Sequence, residues 1–335
     1  HEKGCRLFHG NPGWGQQTRR TATKPFTYTQ APNLYVNHKP TRTMPRFHTG
    51  HLALLLTATL FGIAFIFQRH SATAVSALTF MSWRLPLSAL MLLAVLALRR
   101  RPVWGYWLRD GICCGILLFL GMYSQQWGLE HTTAGKSGFI TSLYVILVPL
   151  LALLGGERLG RTLILATLLA FAGLTCFAAI HSDSAALNWN AGDSATLASA
   201  IIWALYVNYY GITVRRSDLL ALTTVQISTA ALLSLPLTLA LEGAGALTDP
   251  ALLNHSKWDI LYTAIASSGI AFFLQGWGQR QVAATPAAII LSTESIFAFL
   301  SGWLILGEPA TPLMLTGCAL LFAAMTVAQL EPPKS

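Results

Sequence analysis

Long apolar runs separated by short polar breaks constrain the fold of this chain more than any other feature. Ten such runs occur, each near the length of about 20 residues that an α-helix needs to cross about 30 Å of hydrocarbon. They cover approximately residues 51–68, 77–98, 110–129, 136–155, 161–180, 191–211, 218–241, 258–278, 285–306 and 310–330. Only 10% of the residues are charged, against about a quarter in soluble domains. The sequence therefore predicts an all-α integral membrane protein with ten transmembrane helices.

The positions of the basic residues predict how these helices are oriented. If the N-terminus is cytoplasmic, the loops on that side hold ten Lys or Arg residues, and the loops on the other side hold three, which satisfies the positive-inside rule. The inner set is Arg99, Arg100, Arg101, Arg109, Arg158, Arg161, Arg215, Arg216, Arg280 and Lys334; the outer set is Arg69, Lys136 and Lys257. We therefore expect a multi-pass protein of the cytoplasmic (inner) membrane with both termini in the cytoplasm.

The N-terminal segment differs from the rest of the chain. Residues 1–43 hold seven basic residues against Glu2 alone, which accounts for +6 of the net charge of +9 and leaves only +3 for the body. No basic, aromatic-studded groove occurs in that body, so the charge does not indicate nucleic-acid binding. We expect residues 1–47 to form a disordered basic tail, and Met44 is a second candidate for the start of the native protein.

The two halves of the apolar region resemble each other. An offset of 142 residues aligns Phe61 with Trp203 and Arg84 with Gln226, and an offset of 151 aligns Glu157 with Glu308. Since each half holds five spans, an odd number, the second half must be inverted relative to the first. The sequence therefore predicts two inverted five-helix repeats, residues 50–180 and 191–330. This architecture is typical of secondary transporters, whose binding site lies near the midplane.

Two segments carry a more specific resemblance. "AGKSGFITSLYVILVPLLALLGGERLG" and "SSGIAFFLQGWGQRQVAATPAAIILSTESIFAFLSGWLILGE" resemble the ends of the two EamA repeats of the drug/metabolite transporter (DMT) superfamily. The resemblance implies a ten-helix exporter of small metabolites with both termini in the cytoplasm. Two positions depart from the family pattern: Phe61-Gly62 replaces the usual Trp-Gly, and Ser295 replaces a proline. These departures concern the substrate class.

Glu294 and Arg84 are the most informative candidates for the transport site. Glu294 lies near the middle of its span, where an ionised side chain costs about 2.5–3.5 kcal/mol and usually faces a cavity or a partner. It is expected either to bind a proton or a substrate amine, or to join two helices by a hydrogen bond. Arg84 is expected to bind a substrate carboxylate, to pair with Glu294, or to extend to the interface.

Neutral polar and aromatic residues within the spans complete the predicted pathway. Glutamines in apolar spans commonly form interhelical hydrogen bonds, and those that face a cavity would also suit zwitterionic solutes. Trp203 and Tyr206 are three residues apart and share a helix face, so both are expected in an aromatic wall. The predicted substrate and proton pathway is Glu294, Arg84, Gln126, Tyr144, Trp203, Tyr206, Gln226 and Gln275.

Several other functions lack the residues they require. Gly135-Lys136-Ser137 resembles the end of a phosphate-binding loop, but Glu130 stands where that loop needs glycine. Lys136 is therefore expected at the outer mouth of a helix. No aspartate or histidine lies deep in a span, so an intramembrane enzyme is not expected, and neither is a cofactor or a metal. The five cysteines are expected to be small core residues.

The function predicted from the sequence is therefore export of small amphipathic metabolites, such as amino acids, by alternating access, with protons as the expected driver if the transport is coupled. Uptake or exchange by a carrier of the same superfamily is the alternative, followed by a non-transporting receptor or assembly protein. The expected partners are a solute, the lipid bilayer and protons, with no nucleic acid. A monomer or a homodimer is expected.

Overall fold

The computed structural model describes residues 49–100, 102–132, 137, 140–156, 159–180, 189–307 and 310–330. The predicted basic tail, Lys136 and the aligned pair Glu157 and Glu308 lie outside these residues. Within the described part the secondary structure is helical, and a single isolated bridge joins Gly105 to Ser217.

Thirteen α-helices and one π-helix are described. They are α1 (Thr49–Ser71), α2 (Ala77–Leu98), α3 (Trp107–His131), α4 (Tyr144–Leu154), α5 (Arg161–Ile180), α6 (Ala191–Arg216), α7 (Leu219–Leu241), α8 (Ala244–Thr248), α9 (Pro250–Tyr262), the π-helix (Thr263–Ile270), α10 (Ala271–Gln281), α11 (Ala284–Leu291), α12 (Glu294–Leu306) and α13 (Pro312–Ala328).

Seven helical segments in the described residues are long and apolar enough to cross a membrane: α1, α2, α3, α6, α7, the continuous segment Asn254–Gln281 and the segment Ala284–Ile305. The other three predicted spans coincide with shorter apolar helices, Ile140–Leu154, Arg161–Cys176 and Pro312–Ala328. The outward faces carry large apolar side chains such as Leu98 (83% exposed) and Leu232 (74% exposed), which suits a lipid environment.

One predicted boundary is wrong. The spans predicted at 218–241 and 258–278 leave residues 242–257 as a connection, but these residues contain α8 and the start of α9. The polar residues of "NHSKWD" lower the local hydropathy without ending the helix. Pro250 stands at the first position of α9, where its missing N–H would have had no partner in any case.

The described helices pack against one another in a defined set of pairs. α3 packs on both α6 and α7, α2 packs on α7, α1 packs on α10 and α12, and α5 packs on α13. Tyr206, Tyr210, Phe80 and Phe272 are among the largest fully buried side chains. Tyr206, Tyr210 and Phe272 pack together between α6 and α10, beside the site described below, whereas Phe80 of α2 belongs to a separate buried cluster.

Close approach of α3 to α7 depends on two small residues. A Cβ atom on Gly111 would lie 2.7 Å from Val225 Cβ, and one on Gly115 would lie 2.5 Å from Thr229 Cβ and 2.6 Å from the Gln226 carbonyl oxygen. This is the close contact expected of the G-x-x-x-G spacing.

At one end of the bundle, two arginines on different helices each donate hydrogen bonds to the end of the helix that carries the other. Arg215 of α6 donates to two carbonyls around the end of α10, and Arg280 of α10 donates to two carbonyls around the end of α6. The acceptors are Gln279 (3.4 Å) and Val282 (3.2 Å) for Arg215, and Val214 (2.5 Å) and Ser217 for Arg280. The last carbonyls of a helix lack intrahelical donors and carry partial negative charge, so a cation suits them. We call this arrangement the arginine clasp.

Two ion pairs lie at the same end of the bundle. Arg216 donates through Nε and Nη2 to the two carboxylate oxygens of Asp110, both at 2.8 Å, and the Asp110 side chain is 1% exposed. Arg99 donates to Asp218 at 2.7 Å, and Asp218 also accepts from the Ala221 amide as the N-cap of α7. Burial raises the pKa of Asp218, but these hydrogen bonds and the nearby positive charges outweigh it, so the pKa lies below its ordinary value.

The contact of Gly115 with α7 predicts a specific cost of adding one methyl group. Gly115→Ala should lower the melting temperature of the purified protein in detergent, because overpacking a tight contact costs about 1–3 kcal/mol. The matched control is Gly245→Ala, since nothing lies within 4 Å of a Cβ atom there. Equal melting temperatures for the two variants would contradict the close contact between α3 and α7.

The Arg99–Asp218 pair predicts a dependence of stability on acid. Because the folded pKa of Asp218 is depressed, its contribution is fully present above the ordinary Asp pKa of about 3.9 and is lost as the pH falls through the folded value. Asp218→Asn, which keeps a good N-cap residue, should therefore lose less thermal stability than the wild type between neutral and acidic pH. Arg99→Gln should flatten the dependence as well. An acid dependence identical to that of the wild type in both variants would refute the assignment.

Candidate functional site

A cavity lies between α1, α2, α3, α4, α6, α10 and α12. Its empty volume, including the open mouth, is about 770 Å³. Gln68 lies close to the end of α1 and Phe80 close to the beginning of α2, so the cavity extends towards the end of the bundle where these two helices meet. The arginine clasp lies at the opposite end, where α1 begins and α2 finishes.

Six of the eight predicted pathway residues line this cavity: Glu294, Arg84, Gln126, Tyr144, Trp203 and Gln275. The other two, Tyr206 and Gln226, do not. The Tyr206 hydroxyl donates to Gln226 Oε1 at 3.2 Å, and both residues are fully buried. Tyr206 packs edge-on against Trp203, with ring centroids 5.5 Å apart. These two residues therefore form a layer that supports the cavity wall from behind.

Glu294 stands where the predicted span 285–306 is broken. α11 ends at Leu291 and α12 begins at Glu294, so the carboxylate lies in the first turn of α12, where the helix dipole favours a negative charge. The hydroxyls of the two intervening residues donate back to carbonyls of α11, Ser292 to Ile289 at 2.8 Å and Thr293 to Ile290 at 2.6 Å. The break therefore places a half-buried carboxylate at the cavity surface, and no described residue donates a hydrogen bond to it.

Arg84 is held by the π-helix. Its Nε donates to Ser268 Oγ at 2.6 Å and its Nη2 donates to Ser267 Oγ at 3.0 Å, while the whole residue is 4% exposed. Among the described residues no ion pair joins Arg84 to Glu294. Of the three alternatives for Arg84, pairing with Glu294 is therefore not the one observed, and the two opposite charges line one cavity separately.

Aromatic rings form one side of the cavity. Phe272 lies at the centre of this wall, with ring centroids 5.2 Å from Phe61 and 6.4 Å from Trp203, and it makes an edge contact with Tyr206 at 6.0 Å. The wall offers a large apolar surface on which an aromatic or branched apolar group can pack.

Amide groups connect the cavity to the clasp. Gln275 Nε2 donates to Gln279 Oε1 at 3.3 Å, and Gln279 Nε2 donates to the Val207 carbonyl at 2.9 Å. The backbone carbonyl of the same Gln279 accepts from Arg215 in the clasp. Two other buried atoms at the cavity, Gln126 Nε2 and Thr141 Oγ1, have no partner among the described residues. They are available to a solute or to water.

The predicted pathway omits Ser267, Gln68, Gln125 and Thr141, all of which line the cavity. For Ser267 a signal existed: "SSG" interrupts an apolar run at residues 267–269. Serine and threonine commonly bond to the backbone of their own helix, however, so their presence in a span predicts no cavity.

Comparison with known proteins places these observations in a family. A model of the EamA-like transporter family matches residues 48–179 and 190–329. The chain is 29% identical to an uncharacterised transporter of Archaeoglobus fulgidus over 281 residues, which cover 84% of this chain and 85% of that protein. It is 30% identical to an uncharacterised protein of Pseudomonas aeruginosa over 247 residues, covering 72% and 79% of the two chains.

More distant proteins agree. An uncharacterised transporter of Bacillus subtilis is 20% identical over 277 residues, covering 81% of this chain and 93% of that protein. A protein crystal structure superimposes with a TM-score of 0.67 at 20% identity, covering 84% of this chain and 96% of the other. This last similarity concerns the fold alone.

The layer behind the cavity wall predicts a stability effect. Tyr206→Phe removes the hydrogen bond to Gln226, so it should lower the free energy of unfolding in detergent by about 1 kcal/mol. Tyr106→Phe, at a residue that is 66% exposed, is the control and should melt like the wild type. If Tyr206→Phe melted like that control, the supporting role of this pair would have to be abandoned.

Proposed function

Because the chain belongs to the EamA-like transporter family, we propose that it is a secondary transporter that exports small amphipathic metabolites, with amino acids as the leading class. The observation that supports this most is the pair of opposite charges in one cavity. Glu294 offers a carboxylate without a described hydrogen-bond donor, and Arg84 offers a guanidinium without a described carboxylate partner. The members of the family are transporters rather than enzymes, and the membrane-spanning helices fit that role.

The chemistry of the cavity suits a zwitterion with an apolar body. An ammonium group of the solute would bind Glu294, and a carboxylate would bind Arg84. The apolar part would pack on the wall formed by Phe61, Phe272 and Trp203. Desolvating two charges is costly, and a solute that supplies both counter-charges offsets that cost.

The proposal includes ten transmembrane helices arranged as two inverted repeats, residues 50–180 and 191–330. Packing between the helices supports it. If the two halves are repeats, each helix of the first half corresponds to one in the second. The correspondence is α1 to α6, α2 to α7, α3 to the segment α9 to α10, α4 to α11 and α12, and α5 to α13. The contact of α3 with α6 then becomes the contact of the α9–α10 segment with α1, and α5·α13 and α2·α7 map onto themselves; all of these contacts are present.

Alternating access would then consist of one half moving relative to the other around Glu294 and Arg84. Protons are the proposed driver, since Glu294 can exchange a proton for a solute cation. We place the protein in the inner membrane with both termini in the cytoplasm, which puts the arginine clasp on the cytoplasmic side. A monomer or a homodimer is proposed.

Metabolite profiling tests the function. Cells that express the wild type should enrich at least one small amphipathic solute in the medium. In Glu294→Gln at matched abundance, export should fall about tenfold or more, the effect of losing a charged hydrogen bond of about 1.5–3 kcal/mol. Glu130→Gln is the matched control, because Glu130 is exposed and does not line the cavity.

The possible results separate the proposals. Equal enrichment of the solute by the wild type and by Glu294→Gln would support export and assign Glu294 a structural role. Depletion of a solute from the medium would indicate uptake. No difference from cells without the protein, across media that supply amino acids, would refute export of this class.

A further inference from the structure

We infer that Ser267 and Ser268 are positioning residues that turn Arg84 into a binding site for the carboxylate or another planar anionic group of the solute. The inference rests on the proposed function and adds to it: it states which edge of the guanidinium the solute uses and which residues make that edge available.

The planar shape of the guanidinium limits where a solute carboxylate can bind. Arginine has five N–H donors in a planar fork, and a carboxylate can bind either its side edge, made of Nε and Nη2, or its end, made of Nη1 and Nη2. Ser268 accepts from Nε and Ser267 accepts from Nη2, so the two hydroxyls take up the side edge. The end of the fork therefore remains for a ligand, and no described residue accepts from Nη1.

The burial of Arg84 favours binding of an anion. The residue is 4% exposed, and its two described partners are neutral hydroxyls. A buried cation is stabilised far better by a paired anion than by neutral groups alone. Because Arg84 also lines the cavity, the missing anion can come from a solute that enters there.

The π-helix explains why two consecutive serines can do this. In an α-helix, with 3.6 residues per turn, consecutive side chains diverge by about 100° around the axis. A π-helix has a wider turn, closed by i→i+5 hydrogen bonds, and it occurs frequently at functional sites. The turn at Thr263–Ile270 thus brings neighbouring hydroxyls closer in direction, so that both reach one guanidinium.

Packing around the serines fixes their position. Ser267 and Ser268 are 1% and 0% exposed, and the π-helix packs on α2, the helix that carries Arg84. Ser267 lines the cavity beside Arg84, whereas Ser268 does not. The two serines therefore have different roles, because Ser268 anchors the guanidinium from behind and Ser267 holds it at the cavity surface.

Binding of simple probes to the purified protein in nanodiscs tests the inference. The probes are 3-phenylpropionate, which has only the carboxylate, and phenethylamine, which has only the amine. Ser267→Ala and Ser268→Ala should each weaken binding of 3-phenylpropionate about fivefold to tenfold, the effect of releasing one hydrogen bond that orients a charged group. Neither variant should change the affinity for phenethylamine.

Two controls separate positioning from general damage. Ser88→Ala removes a buried hydroxyl one helical turn from Arg84 that has no partner among the described residues, so it should leave both affinities unchanged. Arg84→Lys keeps the charge but loses the fork, so it should weaken 3-phenylpropionate binding at least as much as the serine variants do. Glu294→Gln should have the opposite selectivity and affect phenethylamine alone.

The inference would be overturned if the serine variants bound 3-phenylpropionate like Ser88→Ala, or if they weakened both probes equally. It would also be overturned if the wild type bound phenethylamine but not 3-phenylpropionate at millimolar concentration. That last result would leave the proposed export intact for cationic solutes. A wild type that binds neither probe would exclude a phenylalkyl carboxylate from this site and so overturn the inference, while export itself is decided separately by metabolite profiling.

Discussion

The structure depends on one constraint: within hydrocarbon, each polar group must find its partner inside the protein. Irregular backbone at membrane depth is tolerated only where it is buried or lines a cavity, and two irregular segments beside the cavity obey this rule. The break between α11 and α12 is closed by the Ser292 and Thr293 hydroxyls and opens on the cavity at Glu294. The π-helix likewise faces Arg84. Both of these departures from regular α-helix thus adjoin a charged side chain of the cavity.

The two ends of the bundle differ in how they use arginine. At the clasp end, the cations are satisfied by helix-terminal carbonyls and by the carboxylates of Asp110 and Asp218. In the cavity, the hydrogen-bond partners of Arg84 among the described residues are two neutral hydroxyls. The same residue type therefore stabilises a closed end in one place and remains available to a ligand in another. Burial alone does not separate these roles; the identity of the partner does.

The sequence predicts those parts of the fold and of the site that depend on local composition. Hydropathy located the helical segments, because a lipid-facing helix must be apolar along its length. It failed at residues 242–257, since a helix that emerges into a polar environment has the composition of a loop. Glu294 and Arg84 were found because ionisable residues in an apolar run are rare and costly.

Partners were harder to predict than positions. The pairing of Tyr206 with Gln226 behind the wall, and of Arg84 with Ser267 and Ser268, depends on which faces of separate helices meet. The local pattern of a single sequence does not show which helix faces contact each other. The π-helix was missed for a related reason: its contacts with α2 join distant parts of the chain, whereas "TAIASSGI" on its own resembles any apolar helix.

The arginine clasp has a consequence for kinetics. Between the cavity and that end of the bundle, the side chains of Tyr210 and Gln279 are fully buried. In the proposed export, a solute from the cytoplasm would reach the cavity only after α6 and α10 separate and the four hydrogen bonds of the clasp are exchanged for contacts with water. Transport that requires this contact to open and close in each cycle would saturate with solute concentration and rise steeply with temperature, unlike diffusion through an open pore.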